Sequence, residues 1–459
     1  MRTEERNGGS AYVYAAAVFA AMGGLIFGYG TGVITGALFF IQRRFSLSVF
    51  GQEWVVSMVL VGAALAALAG GPLADRFGRR TMLLLTSAVF IAGALVCALA
   101  PSGATLIAGR FLVGVGIGFA STTVPVYISE ISPTSARGWQ VSLFQLAIAV
   151  GMLGAYVVDF AFTASQGWRW MLGLAVVPGF LLGIGMLLMP ETPRWLAHSG
   201  RHDKARQVLE KIRGSDRAEA EFKQIRATLA AAEQRGRWTE LFSPAVRPAL
   251  IVGVGLAMFQ QITGINTVFY YAPTIIRSSG MPSASGTILV TAGIGLVNLI
   301  MTVVSMRLID RVGRRPLLLA STAGMAVTMG MLGFLFLNPV HGGGLATLAV
   351  LILMAYVACF AVGLGPVFWL LISEIYPLKI RGVAGGTAAG VNWAFNFLVS
   401  LTFLTLLQTM GTSDSFWLYG LLSVAACIFC YALVPETKGR TLEEIEASWQ
   451  ETRRLSAAS

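Results

Sequence analysis

The chain has 459 residues, of which 56% are hydrophobic and only 12% charged, too little polar surface to cover a soluble globule of this size. A formal charge of +11 raises the question of a nucleic-acid partner, but the basic residues fall in alternate loops between apolar runs, which excludes one. Cys97, Cys359, Cys427 and Cys430 all lie inside apolar stretches, so neither a disulfide framework nor a metal site is expected.

Taken in chain order, runs long enough to cross a bilayer are expected at 12–39, 51–74, 81–100, 104–128, 139–162 and 169–189. They resume at 247–277, 286–309, 316–337, 346–373, 382–408 and 415–434. The fold class this predicts is all-α integral membrane, with twelve transmembrane helices in two six-helix halves. The expected organisation is a first half at 1–189, a charged linker with short helices at 190–246, a second half at 247–434 and a tail at 435–459. No cleavable signal is expected, because the polar start Met1 to Ser10 runs into a long, glycine-patterned span. Charge clusters at Asp75 to Arg80, Arg194 to Arg247, Asp310 to Arg315, Lys379 to Arg381 and Lys438 to Arg454 alternate with nearly bare loops. By the positive-inside rule both termini are cytoplasmic, with Arg43, Arg44 and Arg277 as exceptions on the outer side.

The chain repeats itself. Asp75-Arg-Phe-Gly-Arg-Arg80 is answered by Asp310-Arg-Val-Gly-Arg-Arg315, and Ser129-Glu-Ile-Ser-Pro-Thr-Ser-Ala-Arg-Gly138 by Ser373-Glu-Ile-Tyr-Pro-Leu-Lys-Ile-Arg-Gly382. Pro190-Glu-Thr-Pro-Arg194 is answered by Pro435-Glu-Thr-Lys-Gly439. Each copy falls at a cytoplasmic helix end, so the halves are parallel repeats able to rock about a central site. Glu130 with Arg137, and Glu374 with Arg381, offer carboxylate and guanidinium partners. With Asp75, Arg79, Asp310, Arg314, Glu191 and Glu436 they are expected to latch the cytoplasmic ends together in the outward-open state.

At these motifs the chain resembles the major facilitator superfamily and, more narrowly, its sugar porter family. The narrower likeness rests on Gly109-Arg110 followed by Pro125-Val-Tyr-Ile-Ser-Glu130, Pro190-Glu-Thr-Pro-Arg-Trp-Leu196, and Gln260-Gln-Ile-Thr-Gly-Ile-Asn266 with Tyr270-Tyr-Ala-Pro273. Gly365-Pro-Val-Phe-Trp369 and Pro435-Glu-Thr-Lys-Gly439 complete it. The resemblance implies alternating-access transport of a monosaccharide, in a plasma membrane such as the bacterial inner membrane, by a monomer. It implies that Phe27, Gln145, Gln260, Gln261, Asn266, Asn298, Trp369 and Asn392 line the sugar site and that Tyr270 and Tyr271 help close its outer side. Met152 stands seven residues after Gln145, where a xylose-selective member carries a second glutamine, so a hexose such as glucose is favoured.

The residues agree with a neutral solute. The polar groups inside the spans are mostly amides, Asn396 among them, which match the donors and acceptors of sugar hydroxyls, and Trp369 and Trp393 offer flat faces to a pyranose ring. At about 100° per residue, Gln260, Gly264 and Tyr271 share one face of the seventh span while Asn266 falls off it. The spacing therefore predicts a break near Gly264, and Gly363, Gly365 and Pro366 predict a second in the tenth span.

Proton-coupled members of the family carry an aspartate in a Gly-Tyr-Asp run beside the arginine of the fourth span; here the run is Gly28-Tyr29-Gly30, facing Arg110. Gly24, Gly28, Gly32 and Gly36 recur every fourth residue as a packing stripe, whereas Gly30 points about 200° away from Gly28. Counted along the helices, Gly30 and Arg110 lie at similar depths, about 12 Å and about 9 Å below their outer ends. Without a carboxylate, Arg110 must rely on water, carbonyls or amides. Glu53 and Asp159 lie near outer helix ends and the three histidines fall outside the spans, so no proton relay is expected.

A uniporter or uncoupled carrier is therefore predicted. Two readings stay open beside it: a sugar/proton symporter in which Gly30 is an engineered substitution and protons are a second partner, and a membrane sugar sensor. A different cargo, such as a drug or an organic ion, fits the amides poorly. With no nucleophile and base pair, metal-ligand set or phosphate loop in the sequence, neither an enzyme nor a cofactor is expected.

Overall fold

In lipid every backbone amide must be bonded within its own segment, so apolar runs of this length fold as helices. The computed structural model describes residues 2–133, 137–231, 241–244, 246–279, 283–337, 343–376 and 380–438. The first span is α1 (Arg2–Gly32) followed by α2 (Ile34–Phe45), and then come α3 (Val49–Phe77), α4 (Arg79–Ala98), α5 (Gly103–Ile131) and α6 (Arg137–Ala161). The sixth span is α7 (Trp168–Gly173) with α8 (Val176–Leu188). Short helices follow, α9 (Pro193–His198), α10 (His202–Arg213) and α11 (Ser215–Ala231).

The seventh span is α12 (Arg247–Ile262) with α13 (Ile265–Ser278), followed by α14 (Ala284–Val312) and α15 (Arg314–Leu337). The tenth is α16 (Gly343–Val362) with α17 (Leu364–Glu374), and α18 (Arg381–Met410) and α19 (Thr412–Leu433) finish the set. Among the described residues, 12 spans are long and apolar enough to cross a membrane, from Tyr12–Phe45 to Thr412–Leu433, and they are the runs expected from the sequence.

The chain forms two compact units, Met1–Ser46 with Met58–Gln234, and Leu47–Ser57 with Arg235–Ser459. The first turns of α3 thus count with the second unit. There the Glu53 carboxylate accepts the Thr405 amide at 2.7 Å and its hydroxyl at 2.8 Å, and Trp54 meets Phe397 edge-on.

The glycine stripe of the first span is a packing surface against α6. A side chain at Gly24 would meet the Phe144 carbonyl and Ala147, one at Gly28 the Ile148 carbonyl, one at Gly32 Met152 and Ala155, and one at Gly36 the Asp159 side chain. Gly30 faces elsewhere, as its phase requires: Phe90 and Ile117 lie 3.0 Å and Val113 3.2 Å from where its Cβ would stand.

Candidate functional site

The seventh span breaks where the helical wheel requires it. Gly264 takes φ 94°, a left-handed conformation open to glycine but costly for other residues, and α13 restarts at Ile265. The Thr263 carbonyl at the break accepts the Tyr356 hydroxyl at 2.8 Å. The tenth span breaks at Gly363, between α16 and α17. Pro366 has no amide to give the Val362 carbonyl, and Ser305 Oγ supplies that bond at 2.8 Å, while Ser321 Oγ accepts the Leu364 amide at 3.0 Å.

The two breaks are joined by Gln260. Its Nε2 donates to the Leu364 carbonyl at 3.1 Å and to the Gly365 carbonyl at 2.9 Å. Its Oε1 accepts Asn392 Nδ2 at 2.7 Å, and Asn392 also donates to the Ala257 carbonyl at 3.0 Å. Gln261 Nε2 donates to Asn392 Oδ1 at 3.0 Å, and Gln261 Oε1 accepts Asn266 Nδ2 at 2.6 Å. The discontinuity thus brings Asn266 back to the glutamines from which an ideal helix would turn it away. Gln260, Gln261 and Asn392 are each 5% exposed or less and hold one another, whereas Asn266 is half-buried. Among the described hydrogen bonds the Asn266 side chain uses one N–H.

The remaining expected site residues are distributed as follows. Trp369 on α17 is 41% exposed beside Phe368, and Asn298 is half-buried on α14; no described hydrogen bond joins their side chains to the cluster. Asn396 accepts Ser400 Oγ at 3.2 Å. Tyr270 and Tyr271 are both buried, the latter donating to the Ser400 carbonyl at 2.9 Å and packing on Phe403. In the other unit Phe27 on α1 and Gln145 on α6 are half-buried.

Arg110 is 1% exposed, and its Nη1 donates to the Gly30 carbonyl at 2.7 Å. Arg110 and Gly30 are thus in direct contact, through a backbone oxygen that takes a guanidinium N–H. Two acids lie near helix ends, as the sequence leads one to expect, and both are buried. Glu53 and Asp159 are both 0% exposed; the first holds Thr405, and the second accepts the Gly36 amide through Oδ2 at 3.0 Å. The signal available in the sequence was the cost of placing any carboxylate inside a span.

The repeated motifs build one network per unit. In the first, Arg79 pairs with Asp75 at 2.9 Å and with Glu130 at 3.2 Å, Thr192 Oγ1 donates to Glu130 at 2.6 Å, and Glu191 accepts the amides of Arg79 and Arg80. In the second, Arg314 pairs with Glu374 at 3.0 Å, Thr437 Oγ1 donates to Glu374 at 2.6 Å, and Glu436 accepts the amides of Arg314 and Arg315. Gly78 and Gly313 sit before these helix starts at φ 95° and 105°, and a Cβ on either would strike the capping glutamate. Thr192 and Thr437 were legible as the repeated Pro-Glu-Thr but had no assigned partner. The side chains of Arg137, Asp310 and Arg381 lie outside the described residues.

The two caps differ electrostatically. Burial pushes the Glu191 carboxyl above the ordinary carboxylate range, against the pull of the Thr192, Arg80 and Arg79 amides and the Arg79 charge. Burial acts the same way on Glu436, but the amides of Lys438, Arg314, Arg315 and Thr437 outweigh it and hold that carboxyl low.

The chain matches known proteins along nearly its whole length. The family profile described as "Sugar (and other) transporter" covers residues 16–449. A D-xylose transporter of Levilactobacillus brevis is 43% identical over 94% of each chain. A galactose-proton symporter of Escherichia coli (strain K12) is 40% identical over 95% of this chain and 94% of its own. The solved inward-open structure of the xylose transporter from E. coli superimposes with a TM-score of 0.83 at 32% identity, covering 95% of this chain and all of that one. With that fold, those relatives and the repeated motifs, the chain belongs to the sugar porter family of the major facilitator superfamily and is a sugar transporter.

Proposed function

We propose that this chain carries a neutral hexose, glucose foremost, across a plasma membrane by alternating access, as a monomeric uniporter with both termini cytoplasmic. The observation that carries the reading is the uncharged amide cluster at the paired breaks, with Asn266 half-buried at its edge. Amides pair with hydroxyls in both senses, and the open indole of Trp369 suits the apolar face of a pyranose. Phe27, Gln145 and Asn298 complete the sugar contacts, and Tyr270 and Tyr271 close over them. The two charged networks, with Arg137, Asp310 and Arg381, latch the cytoplasmic side in the outward-open state, and a bacterial inner membrane suits the relatives.

Uniport rests on position 30. Gly30 binds no proton, and Arg110 is held by a carbonyl whose charge state never changes. The competing reading is proton symport, which the name of the galactose relative favours.

The test is competition for labelled glucose exchange in proteoliposomes. Hexoses should compete best, with pentoses weaker and organic cations inert; a protein indifferent to every sugar but blocked by cations would overturn the reading. Sugar binding without exchange would instead identify a sensor.

A further inference from the structure

The first span is interrupted at Val33, between α1 and α2, although the chain there stays near the right-handed helical region. An interruption leaves carbonyls at the end of one helix and amides at the start of the next without helical partners. Two of these groups are taken by buried side chains of opposite charge. Arg110 from α5 donates to the carbonyl of Gly30 in the last turn of α1, and Asp159 from α6 accepts the amide of Gly36 in the first turn of α2. Each charge has the sign that the helix end favours, a cation at the C-terminus and an anion at the N-terminus. Gly36 is also the stripe position packed directly on the Asp159 side chain, so any Cβ there would displace the bond.

The two clamps are not equivalent. Arginine keeps its charge at every working pH. Asp159 is 0% exposed, and its Oδ1 has no hydrogen-bond partner among the described residues, so its ionised form is sustained by one amide and the end of α2 against the cost of burying a charge.

The surrounding elements offer little compensation. α1 brings Tyr29, which lies within electrostatic reach of Asp159 and donates to the Met171 carbonyl. α2 brings Arg43 and Arg44, both exposed. On α5, Arg110, Tyr127 and Glu130 are engaged at Gly30, Pro190 and Arg79, and Arg169 of α7 is bonded to the Ala100 carbonyl.

We propose that Asp159 is a proton-binding site that controls the hinge of the first span, setting the rate of transport without driving accumulation. A proton passes from water to the carboxylate, the charge is lost, and the hold on the Gly36 amide weakens, freeing α2 to move relative to α1. Asp159 lies two residues from the Ala161 end of α6.

Two measurements test this, and the rate assay alone rests on the transport reading. With equal pH on both sides of proteoliposomes, wild-type sugar exchange should rise several-fold through a single titration between pH 8 and pH 5. Asp159→Asn, which keeps an oxygen for the Gly36 amide, should exchange sugar at a rate that varies less than twofold over that range. In detergent, hydrogen exchange of the peptide containing Gly36, corrected for intrinsic rates, should lose several-fold protection at pH 5 in the wild type but not in Asp159→Asn. An unchanged pH profile in Asp159→Asn, or pH-independent protection at Gly36 in the wild type, overturns the proposal. If the wild type exchanges no sugar at any pH the transport reading fails, and Gly36 protection alone decides this one.

Discussion

The first and seventh spans are counterparts in the internal repeat, and both are broken, but by different means. The offset between Asp75 and Asp310 places Gly264 opposite Tyr29, about one turn from Val33. At Gly264 the backbone leaves the helical region altogether, and the exposed polarity is gathered by neutral amides that hold one another. At Val33 the backbone hardly deviates, and the freed carbonyl and amide are taken by Arg110 and Asp159. A break lined by amides suits a neutral polar solute, whereas one clamped by full charges suits a hinge.

Gln260→Ala should separate the two spans most strongly. It strands the Leu364 and Gly365 carbonyls and an Asn392 donor and should destabilise the fold by about 3 kcal/mol, measurable as a fall in the thermal midpoint. Asn266→Ala should cost about 10-fold in affinity and, because it removes only the one N–H given to Gln261 Oε1, lower the thermal midpoint less than Gln260→Ala does. Equal effects of the two variants on stability would refute the assignment of one as scaffold and the other as contact.

Next in size is the backbone contrast. Gly264→Ala forces a left-handed alanine against the Tyr419 ring at 2.8 Å and should destabilise by about 2 kcal/mol. Gly30→Ala needs Phe90 and Ile117 to yield a few tenths of an ångström, about 1 kcal/mol, in a helix of ordinary geometry. Thermal shift with bound sugar ranks the two. Gly30→Asp meets the same neighbours but places a carboxylate beside Arg110, and it should acquire sugar accumulation driven by a pH gradient.

The smallest expected effect separates the two network caps. Glu436, held low by its amides, stabilises the fold above the ordinary carboxylate range and loses that contribution as pH falls through its folded value. Glu436→Gln should therefore lower the melting temperature at neutral pH by a few degrees and converge with wild type in acid. Glu191, raised by burial, binds its proton more tightly in the folded state than in the unfolded one, so its titration favours the fold as pH falls. Glu191→Gln should match or exceed wild type at high pH; a loss there as large as that of Glu436→Gln would show that the caps are equivalent.

Much of this was legible in the residues. Apolar run length set all twelve spans, and the phase of Asn266 relative to Gln260 forced the break at Gly264. Gly363 and Pro366 marked the second break, because proline removes an amide wherever it falls. The Val33 break carried no such mark, since Gly32 belongs to the packing stripe and valine is ordinary in a span. Asp159 and Glu53 do lie near helix ends, but what they hold is unmarked for a related reason. Their partners, Gly36 and Thr405, lie 123 and 352 residues away, and a glycine amide or a helical threonine leaves no trace of its partner in the local pattern.

The central claim is that this sugar porter transports without proton drive. The direct measurement is glucose uptake by proteoliposomes under an imposed pH gradient, acid outside, compared with exchange at equal pH. Rapid equilibration of glucose, with an internal concentration that never exceeds the external one, is the predicted result. Accumulation above the external concentration that collapses on adding a protonophore would contradict it.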